Sequence, residues 1–416
     1  MSTAASSRSS SDGKASRRVA YDMLARVLHK RQALDHGHED LLSSLPDRER
    51  AFAFQLVNQA VRRWGSVTAL MESLVPKAPP PAVSLVLGLG VTQLCVMRTS
   101  SHAAVSETVD LAKSDQNTRP YAKLVNAVLR RIEREGLALP DAPEVPAWLA
   151  QRWHQAYGPE VAHTLTRLPR EDAPAGLTVN PQRPCPELLG HPAVTRDAHG
   201  ELSVAPGTDI TTLPGFGDGA FWVQNTGARQ AAEALDVCRG ERVLDLCAAP
   251  GGKTLQLAAK GAVVDALDIS AKRLERLRQN LERTGLAANL ITADARKWQP
   301  DAPYEAILLD APCTATGTLR KSPDVPWVRT PKDLSRLLTV QSELLDQAVG
   351  WLAPGGRLLY CTCSLEPEEG EEQITALLKR HRHLQAVSSS AWPQGRQRLM
   401  PGEGNTDGFF MALLKS

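Results

Sequence analysis

Two cysteines in this chain of 416 residues follow apolar runs that are typical of buried strands. Cys313 ends the motif DAPC (residues 310–313), directly after the run 307–309. Cys363 lies in the motif YCTCS (residues 360–364), at the end of a second apolar run. Because the carboxyl ends of parallel strands meet at one edge of a sheet, we expect the two thiols to emerge at the same edge.

Two thiols at one edge suit chemistry at a pyrimidine. C5 of cytosine is a poor nucleophile until a group adds to C6, and a thiolate both adds readily and leaves again. After a methyl group reaches C5, the C5 proton must be removed before the thiol can leave, and a second cysteine fits that task. Asp310 is a candidate to hold the N3 and N4 edge of the base. The base must also leave its stack. This chemistry does not decide which cysteine is the nucleophile.

The remaining cysteines suggest simpler roles. Seven cysteines without an export signal predict free thiols in a reducing, cytoplasmic compartment. Cys361 should pack inside the sheet, and three others are expected to be small buried apolar residues: Cys95, Cys185 and Cys238. A zinc site built from Cys361 and Cys363 lacks the C-x-x-C pairs and nearby histidines of such sites, so we predict no metal.

A glycine-rich turn precedes both cysteines. Residues 243–254 read VLDLCAAPGGKT, which predicts a strand, a tight turn and the start of a helix. A phosphate-binding loop would need glycine at position 247, where the chain has Cys247, and the dinucleotide pattern G-x-G-x-x-G is also absent. The turn carries an acid, Asp245. Carboxylates suit the sulfonium and amine of S-adenosylmethionine, which we predict as the cofactor.

Further acids follow the next predicted strands. Since Ser270 is placed to cap the following helix, Asp268 should be free to accept from ribose hydroxyls. Asp294 is expected either near the adenine or as the cap of the next turn, and the residues alone leave both open. The residues alone thus suggest the glycine-rich loop, Asp268 and Asp294 as contacts of the cofactor.

The elements around these motifs alternate between strand and helix. Continuous apolar runs separated by helices predict a parallel sheet covered on both faces, an α/β Rossmann-like domain over residues 222–416. The candidate strands are residues 242–247, 263–269, 289–294, 306–310 and 357–362.

The first half of the chain has a different pattern. Residues 17–140 show apolar positions at helical spacing, with breaks at 76–81, at 115–120 and at Gly136, and predict an all-helical domain. Residues 141–221 predict a small α+β module, and the serine-rich stretch 1–16 predicts a disordered tail. The apolar run 82–97 is too short to span a bilayer, so we expect a buried helix and no membrane partner. A net charge of +2 is too small by itself to indicate nucleic-acid binding.

These motifs resemble those of the RsmB/Sun group within the NOL1/NOP2/Sun family of RNA cytosine-C5 methyltransferases. The resemblance covers almost the whole chain. It rests on LVNAVLRR (residues 124–131) at the end of a NusB-like helical domain, followed by LCAAPGGKT, DIS, DAPCTATG and YCTCS in that order.

The resemblance implies a class I methyltransferase domain that binds S-adenosylmethionine and methylates 16S rRNA, with the NusB-like domain binding or positioning RNA. It also implies that Cys363 is the nucleophile and that Cys313 releases the product. The cofactor-binding residues predicted with it are Cys247, Ala248, Ala249, Pro250, Gly251, Gly252, Lys253, Asp268, Arg273, Asp294 and Asp310. We expect a monomer. Asn225, Pro326 and Gly370 depart from the pattern usual in the family and put RNA contact or loop placement in doubt.

Two other functions remain open. The catalytic motifs do not encode the target, so the substrate could be a tRNA or another rRNA cytosine. The second alternative is a non-catalytic RNA-binding assembly factor that kept the fold. The presence of Cys313, Cys363 and the complete glycine-rich loop argues against it.

Overall fold

The computed structural model describes residues 4–35, 37–388, 392, 394–402 and 406–416. Internal contacts divide the chain into two units. The helical unit comprises Met1–Glu171 and Leu319–Thr330, and the sheet unit comprises Asp172–Thr318 and Pro331–Ser416. The predicted module boundary at residue 140 differs from this division, which keeps residues up to Glu171 with the helices.

The helical unit is built around one apolar core. Its helices before residue 171 are α1 (Ala4–Lys30), α2 (Glu39–Leu42), α3 (Asp47–Arg62), α4 (Trp64–Leu74), α5 (Pro81–Cys95), α6 (Ser101–Ser114), α7 (Ala122–Glu135) and α8 (Ala147–Leu165). The predicted breaks fall between α4 and α5 and between α6 and α7, and Gly136 ends α7 with a φ of 61°. Helix α5 is buried along most of its length, as its apolar run predicts.

Helix α1 covers part of the stretch that we expected to be a disordered tail. It begins at Ala4, and Met1–Thr3 lie outside the described residues. Ser16 is fully buried, and the Arg17 guanidinium donates to the Gln93 side chain at 2.8 Å. Lys14 Nζ also lies 3.0 Å from Asp110 Oδ2 of the helix 101–114, and composition alone does not reveal such contacts.

The sheet unit begins with a small antiparallel sheet. Its strands are β1 (Ala175–Val179), β2 (Val194–Arg196), β3 (Leu202–Val204) and β4 (Phe221–Val223), in the order β2-β3-β1-β4. The short helix α9 (Pro186–Leu189) adds Leu188 to its apolar core. These elements form the predicted α+β module. Helix α8, which we expected in this module, belongs to the helical unit.

Within the part of the chain that the structure describes, the large sheet contains eight strands. They are β5 (Arg242–Leu246), β6 (Val263–Asp268), β7 (Asn289–Thr292), β8 (Tyr304–Asp310), β9 (Leu352–Thr362), β10 (Gln385–Ala386), β11 (Arg396–Leu399) and β12 (Phe409–Lys415). The order is β7-β6-β5-β8-β9-β12-β10, with β11 paired to β12. Strands β5 to β9 are parallel, and β12 runs antiparallel to β9. All five candidate strands are confirmed.

Strand order reverses beside β5, since the chain runs outward through β6 and β7 and then returns to β8. Ligands in such sheets bind beyond the carboxyl ends of the strands at this reversal. The helices that follow β4 along the chain are α10 (Thr226–Ala234), α11 (Gly252–Ala259), α12 (Ala271–Thr284), α13 (Val325–Val328), α14 (Pro331–Gly350) and α15 (Glu371–Arg380). Apolar clusters on both faces of the sheet confirm that it is covered on both sides.

Helix α13 belongs to the helical unit, although it lies between two elements of the sheet unit along the chain. Trp327 and Val328 pack against the helical core, and the Leu34 N–H donates to Asp324 at 2.9 Å. Among the described residues, no helix is long and apolar enough to cross a membrane.

Candidate active site

The two cysteines lie side by side at the carboxyl edge of the large sheet. Strands β8 and β9 are parallel neighbours, with Asp310 opposite Cys361 in their register. Just beyond the strand ends, the Ala311 N–H donates to the Cys361 carbonyl at 3.0 Å. Cys313 Sγ lies 3.5 Å from Cys363 Sγ. The expectation that both thiols emerge at one edge is therefore confirmed.

Cys313 is held in its protonated form by its surroundings. The pKa of Cys313 is raised well above its ordinary value, first by the hydrogen bond with the Cys363 thiol and then by burial. The negative charges of Cys363, Glu369 and Asp310 act in the same direction. A covalent bond from Cys363 Sγ to another atom would remove the leading cause.

The other cysteines differ in exposure. Cys361 is fully buried in β9, as predicted, and burial raises the pKa of its thiol. Cys95 and Cys185 are half-buried and pack against apolar cores. Cys238 is exposed in the turn between α10 and β5, so its assignment as a buried residue was wrong. The turn position of Cys238 explains its exposure.

Lys253 faces a catalytic candidate. Its Nζ lies 2.6 Å from Asp310 Oδ2, and its side chain is 9% exposed against 34% for Asp310. Burial alone would lower the pKa of Lys253, but the carboxylate of Asp310 and neighbouring negative groups raise it above its ordinary value. Lys253 therefore stays cationic. Asp310 is the more exposed member of this ion pair, so its carboxylate is the side of the pair that a ligand can reach.

The glycine-rich loop brings the chain close to α12. Gly251 has a φ of 106°, and a Cβ at this position would lie 2.2 Å from Leu277 Cδ1. Cys247 also has a positive φ, of 60°. The Ala248 N–H donates to the Leu267 carbonyl at 3.1 Å, which joins the loop to the end of β6.

Asp268 binds backbone N–H groups of two loops, and its contact with ribose hydroxyls stays a prediction. Its Oδ1 accepts from the Ser270 N–H at 2.9 Å, and its Oδ2 accepts from the Ala249 N–H at 3.2 Å. Arg273 lies 3.3 Å from the same carboxylate and donates to the Ala249 carbonyl. Ser270 does cap α12, as predicted. The carboxylate lies where two loops present amide N–H groups, so it holds the glycine-rich loop in place.

Asp294 caps the turn after β7, and its position near the adenine stays a prediction. Its Oδ1 accepts from the Arg296 N–H at 3.1 Å, which caps the turn after β7. The Arg296 guanidinium also binds both carboxylate oxygens and lowers the pKa of Asp294. Asp294 nevertheless lines the cavity described next.

Asp245 lies below the loop and is fully buried. Its Oδ2 accepts from the Thr254 hydroxyl at 2.6 Å, and burial raises its pKa to about 7. Its Oδ1 has no hydrogen-bond partner among the described residues.

A cavity of about 510 Å³ connects the loop with the cysteines. From the predicted set it is lined by Cys247, Ala249, Asp268, Arg273, Asp294 and Asp310, together with Cys313 and Cys363. Ala248, Pro250, Gly251, Gly252 and Lys253 do not line it. The volume suits a nucleoside-sized ligand, and three carboxylates suit the sulfonium and amine of S-adenosylmethionine. The residues present therefore fit the cofactor.

Several lining residues were missed by sequence reasoning. Ile269 is 64% exposed directly after Asp268, and Arg336, Val340 and Leu344 come from α14. The sequence signal is the position of Ile269, an apolar residue that directly follows the acid at the end of a predicted strand. The spacing of Arg336, Val340 and Leu344 predicts one helix face but does not indicate what that face covers.

Comparisons with known proteins cover both units. The model of the family described as 16S rRNA methyltransferase RsmB/F matches residues 232–415, and the NusB family model matches residues 14–134. The chain is 37% identical over 429 residues to Ribosomal RNA small subunit methyltransferase B from Pseudomonas putida, covering 96% of this chain and 98% of that protein. The protein of the same name from Vibrio vulnificus is 34% identical over 422 residues, with the same coverage.

Solved structures with the same fold are more distant in sequence. The crystal structure of PH0851 is 23% identical, with a TM-score of 0.77 over 97% of this chain and 99% of that chain. The structure of NSun6 from Pyrococcus horikoshii with SFG is 21% identical, with a TM-score of 0.59 over 65% of this chain and 98% of that chain. At these identities the likeness shows the fold alone.

Proposed function

The chain belongs to the RsmB/F family of S-adenosylmethionine-dependent methyltransferases, and from this premise we propose that it methylates C5 of a cytosine in 16S rRNA. The relatives from Pseudomonas and Vibrio, which match over nearly their full length, carry the name of a small-subunit rRNA enzyme. Their names support the choice of rRNA over tRNA. We further propose that the helical unit binds or positions that RNA, that the protein acts as a monomer, and that it works in the cytoplasm.

The observation that carries the proposed chemistry is the thiol pair. Cys313 Sγ and Cys363 Sγ lie 3.5 Å apart and line the cavity that also contains Asp310 and the cofactor loop. A single thiol would suffice to add to C6 of a pyrimidine. A second thiol beside it supports a mechanism in which a proton is removed close to the thioether bond.

The proposed reaction balances with these groups. Cys363 Sγ adds as a thiolate to C6, and the electron pair of the C5–C6 double bond moves to C5. C5 then takes the electrophilic methyl group that S-adenosylmethionine would supply. Cys313 gives its thiol proton to solvent, and the resulting thiolate takes the C5 proton. The C–H electron pair restores the double bond, the bond from C6 to Cys363 Sγ breaks, and Cys313 is again a thiol.

The order of the two cysteines comes from the family resemblance, which assigns attack to Cys363 and release to Cys313. The two sulfur atoms lie 3.5 Å apart, so a base bonded to one cysteine would lie beside the other. Asp310, oriented by Lys253, is the proposed partner of the N3 and N4 edge.

The substrate can be tested by mapping 5-methylcytosine in cells that lack this protein. Bisulfite sequencing of rRNA and tRNA should show the loss of one modified cytosine in small-subunit rRNA, with tRNA unchanged. Loss from tRNA alone would contradict the proposed target. An unchanged pattern in both RNAs would favour the assembly-factor alternative.

A further inference from the structure

A cluster of buried polar side chains lies behind the two cysteines. We call it the Glu369 cluster, and its members are Glu369, Gln341, Thr314, Thr316 and Ser364, each fully buried. Buried polar groups of this kind cost free energy unless they are hydrogen-bonded. The bonds within the cluster therefore indicate what it holds.

Glu369 binds the backbone on the carboxyl side of Cys313. The Thr314 N–H donates to both oxygens of the Glu369 carboxylate, at 3.0 Å and 3.2 Å. The Thr314 hydroxyl donates to the same carboxylate. The Tyr360 hydroxyl donates to the Glu369 carbonyl at 2.7 Å, which anchors this residue to β9.

Gln341 extends the clamp to the other side of Cys313. Its Nε2 donates to the Glu369 carboxylate at 2.9 Å and to the Pro312 carbonyl, also at 2.9 Å. The peptide groups before and after Cys313 are therefore both held by the pair of Glu369 and Gln341. Cys313 has little freedom to move its Cα without breaking one of these bonds.

The same cluster reaches the second cysteine. The Thr314 and Ser364 hydroxyls lie 3.1 Å apart, and Ser364 directly follows Cys363. The Leu365 N–H donates to the Thr316 hydroxyl at 3.0 Å. The loops that carry the two thiols are thus joined through side chains, and the 3.5 Å separation between the sulfur atoms depends on this join.

We propose that Glu369 is the positioning residue for product release, because its clamp holds Cys313 where it can take the C5 proton. This inference rests on the proposed function and extends it to a residue outside the reacting atoms. Adduct formation requires Cys363 alone, whereas release requires Cys313 at its place. Disturbing the clamp should therefore impair release more than attack.

The partners of Glu369 fit a residue that holds backbone. Among the described residues, its carboxylate receives an amide N–H, a hydroxyl and a carboxamide, with no lysine or arginine bound to it. Its negative charge raises the pKa of the neighbouring Cys313 and keeps this thiol protonated in the free enzyme. Glu369 therefore supports release through the position of Cys313 and not through its charge.

Glu369→Gln removes the charge and turns one carboxylate oxygen into a donor that faces other donors. Gln341→Met removes both bonds of the carboxamide while keeping the side-chain length. Glu372→Gln is the matched control, since Glu372 is an exposed glutamate in the first turn of α15. Each variant is incubated with S-adenosylmethionine and unmodified 16S rRNA transcribed in vitro, and protein–RNA adducts are counted on a denaturing gel.

We expect Glu369→Gln to lower turnover by about 100-fold, the loss that a displacement of about 1 Å can cause. A denaturation-resistant adduct should accumulate, the KM for S-adenosylmethionine should stay near the wild-type value, and the melting temperature should show a folded protein. Gln341→Met should give the same pattern more weakly, and Glu372→Gln should behave as wild type.

Wild-type turnover in Glu369→Gln would overturn the inference. So would an equal loss of adduct formation and turnover, because that pattern indicates a structural role only. If Glu369→Gln does not fold, Gln341→Met decides by the same criteria.

Cys313→Ala is measured in parallel to separate the two proposals. If Cys313→Ala forms no adduct, the proposed cysteine mechanism fails. An adduct with Cys313→Ala but none with Glu369→Gln refutes only the positioning role.

Discussion

Two glutamates, Glu144 in the helical unit and Glu369 in the sheet unit, are both fully buried but have opposite surroundings. Glu144 accepts from Arg170 Nε at 2.9 Å and lies 3.4 Å from Arg63 Nε. It also accepts from the Ser66 N–H at 3.0 Å. Cations and an amide thus compensate its charge, as is usual for a buried carboxylate that serves structure.

Glu369 is held by neutral donors and lies beside a thiol. Its charge is therefore available to change the proton affinity of Cys313. The difference teaches that burial of an acid does not reveal its purpose, whereas the identity of its partners does. We call Glu144 with its partners Arg63, Arg170 and Ser66 the Glu144 cluster. We expect changes in this cluster to alter stability and changes near the thiols to alter chemistry.

The largest expected effect would come from breaking the Glu144 cluster. Glu144→Gln leaves Arg63 without this anion and Arg170 with only the more exposed Asp141. The loss of a buried ionic partner costs about 3 kcal/mol. Because a chain of several domains need not unfold in one step, native-state hydrogen exchange of α4 and α8 is the suitable measurement. Protection there should fall while activity per folded molecule stays at the wild-type level.

Glu133→Gln provides the control for this variant. Glu133 pairs with Arg130 at 2.8 Å on the surface of α7, so its loss should cost no more than about 0.5 kcal/mol. If Glu144→Gln behaved like this control, the structural half of the comparison would be wrong.

The next largest effect is expected at Lys253, whose ion pair faces the site. Lys253→Met keeps the length of the side chain but removes the cation that orients Asp310. Loss of one preorganised electrostatic group costs about 100-fold in turnover. Single-turnover methylation at saturating cofactor measures this loss, and the exposed Lys260→Met is its matched control. Equal rates for the two variants would refute the role of the ion pair.

The smallest effect concerns Asp245, a buried acid whose carboxylate is bonded by one hydroxyl. Its folded-state pKa of about 7 lies above the ordinary value of 3.8. Between these values the folded state keeps a proton that the unfolded chain has lost, so Asp245 makes stability fall as the pH rises toward 7. Asp245→Asn removes this dependence.

The stability gained by Asp245→Asn should therefore increase by about 2 kcal/mol between pH 5 and pH 7 and level off above that range. Hydrogen exchange of β5, corrected for its intrinsic pH dependence, measures the difference between variant and wild type. A gain that is constant with pH would show that Asp245 is ionised in the folded protein throughout this range.

Much of the fold and part of the site follow from local patterns. Apolar runs of strand length end at Asp268, Asp310 and Thr362, and parallel strands bring such ends to one edge. The placement of Cys313 and Cys363 at one edge follows from this rule, whereas their 3.5 Å separation also requires β8 and β9 to be neighbours. The caps at Ser270 and Gly285 are also readable, since each depends on neighbouring residues only.

The partners across the fold were not readable. Glu369 lies in an acidic run at 366–372 that resembles a solvated helix start, and its burial depends on Thr314 and Gln341, which are distant in sequence. The pair of Lys253 and Asp310 is likewise formed only by the folded sheet. The attachment of Leu319–Thr330 to the helical unit depends on apolar contacts of Trp327 that sequence spacing does not indicate.

The most direct test of the central claim compares covalent RNA adducts of Cys313→Ala and Cys363→Ala under denaturing conditions. Cys313→Ala should retain a protein–RNA adduct in the presence of S-adenosylmethionine, because attack proceeds and release does not. Cys363→Ala should form no adduct and transfer no methyl group. An adduct with Cys363→Ala but not with Cys313→Ala would reverse the assignment of the two cysteines.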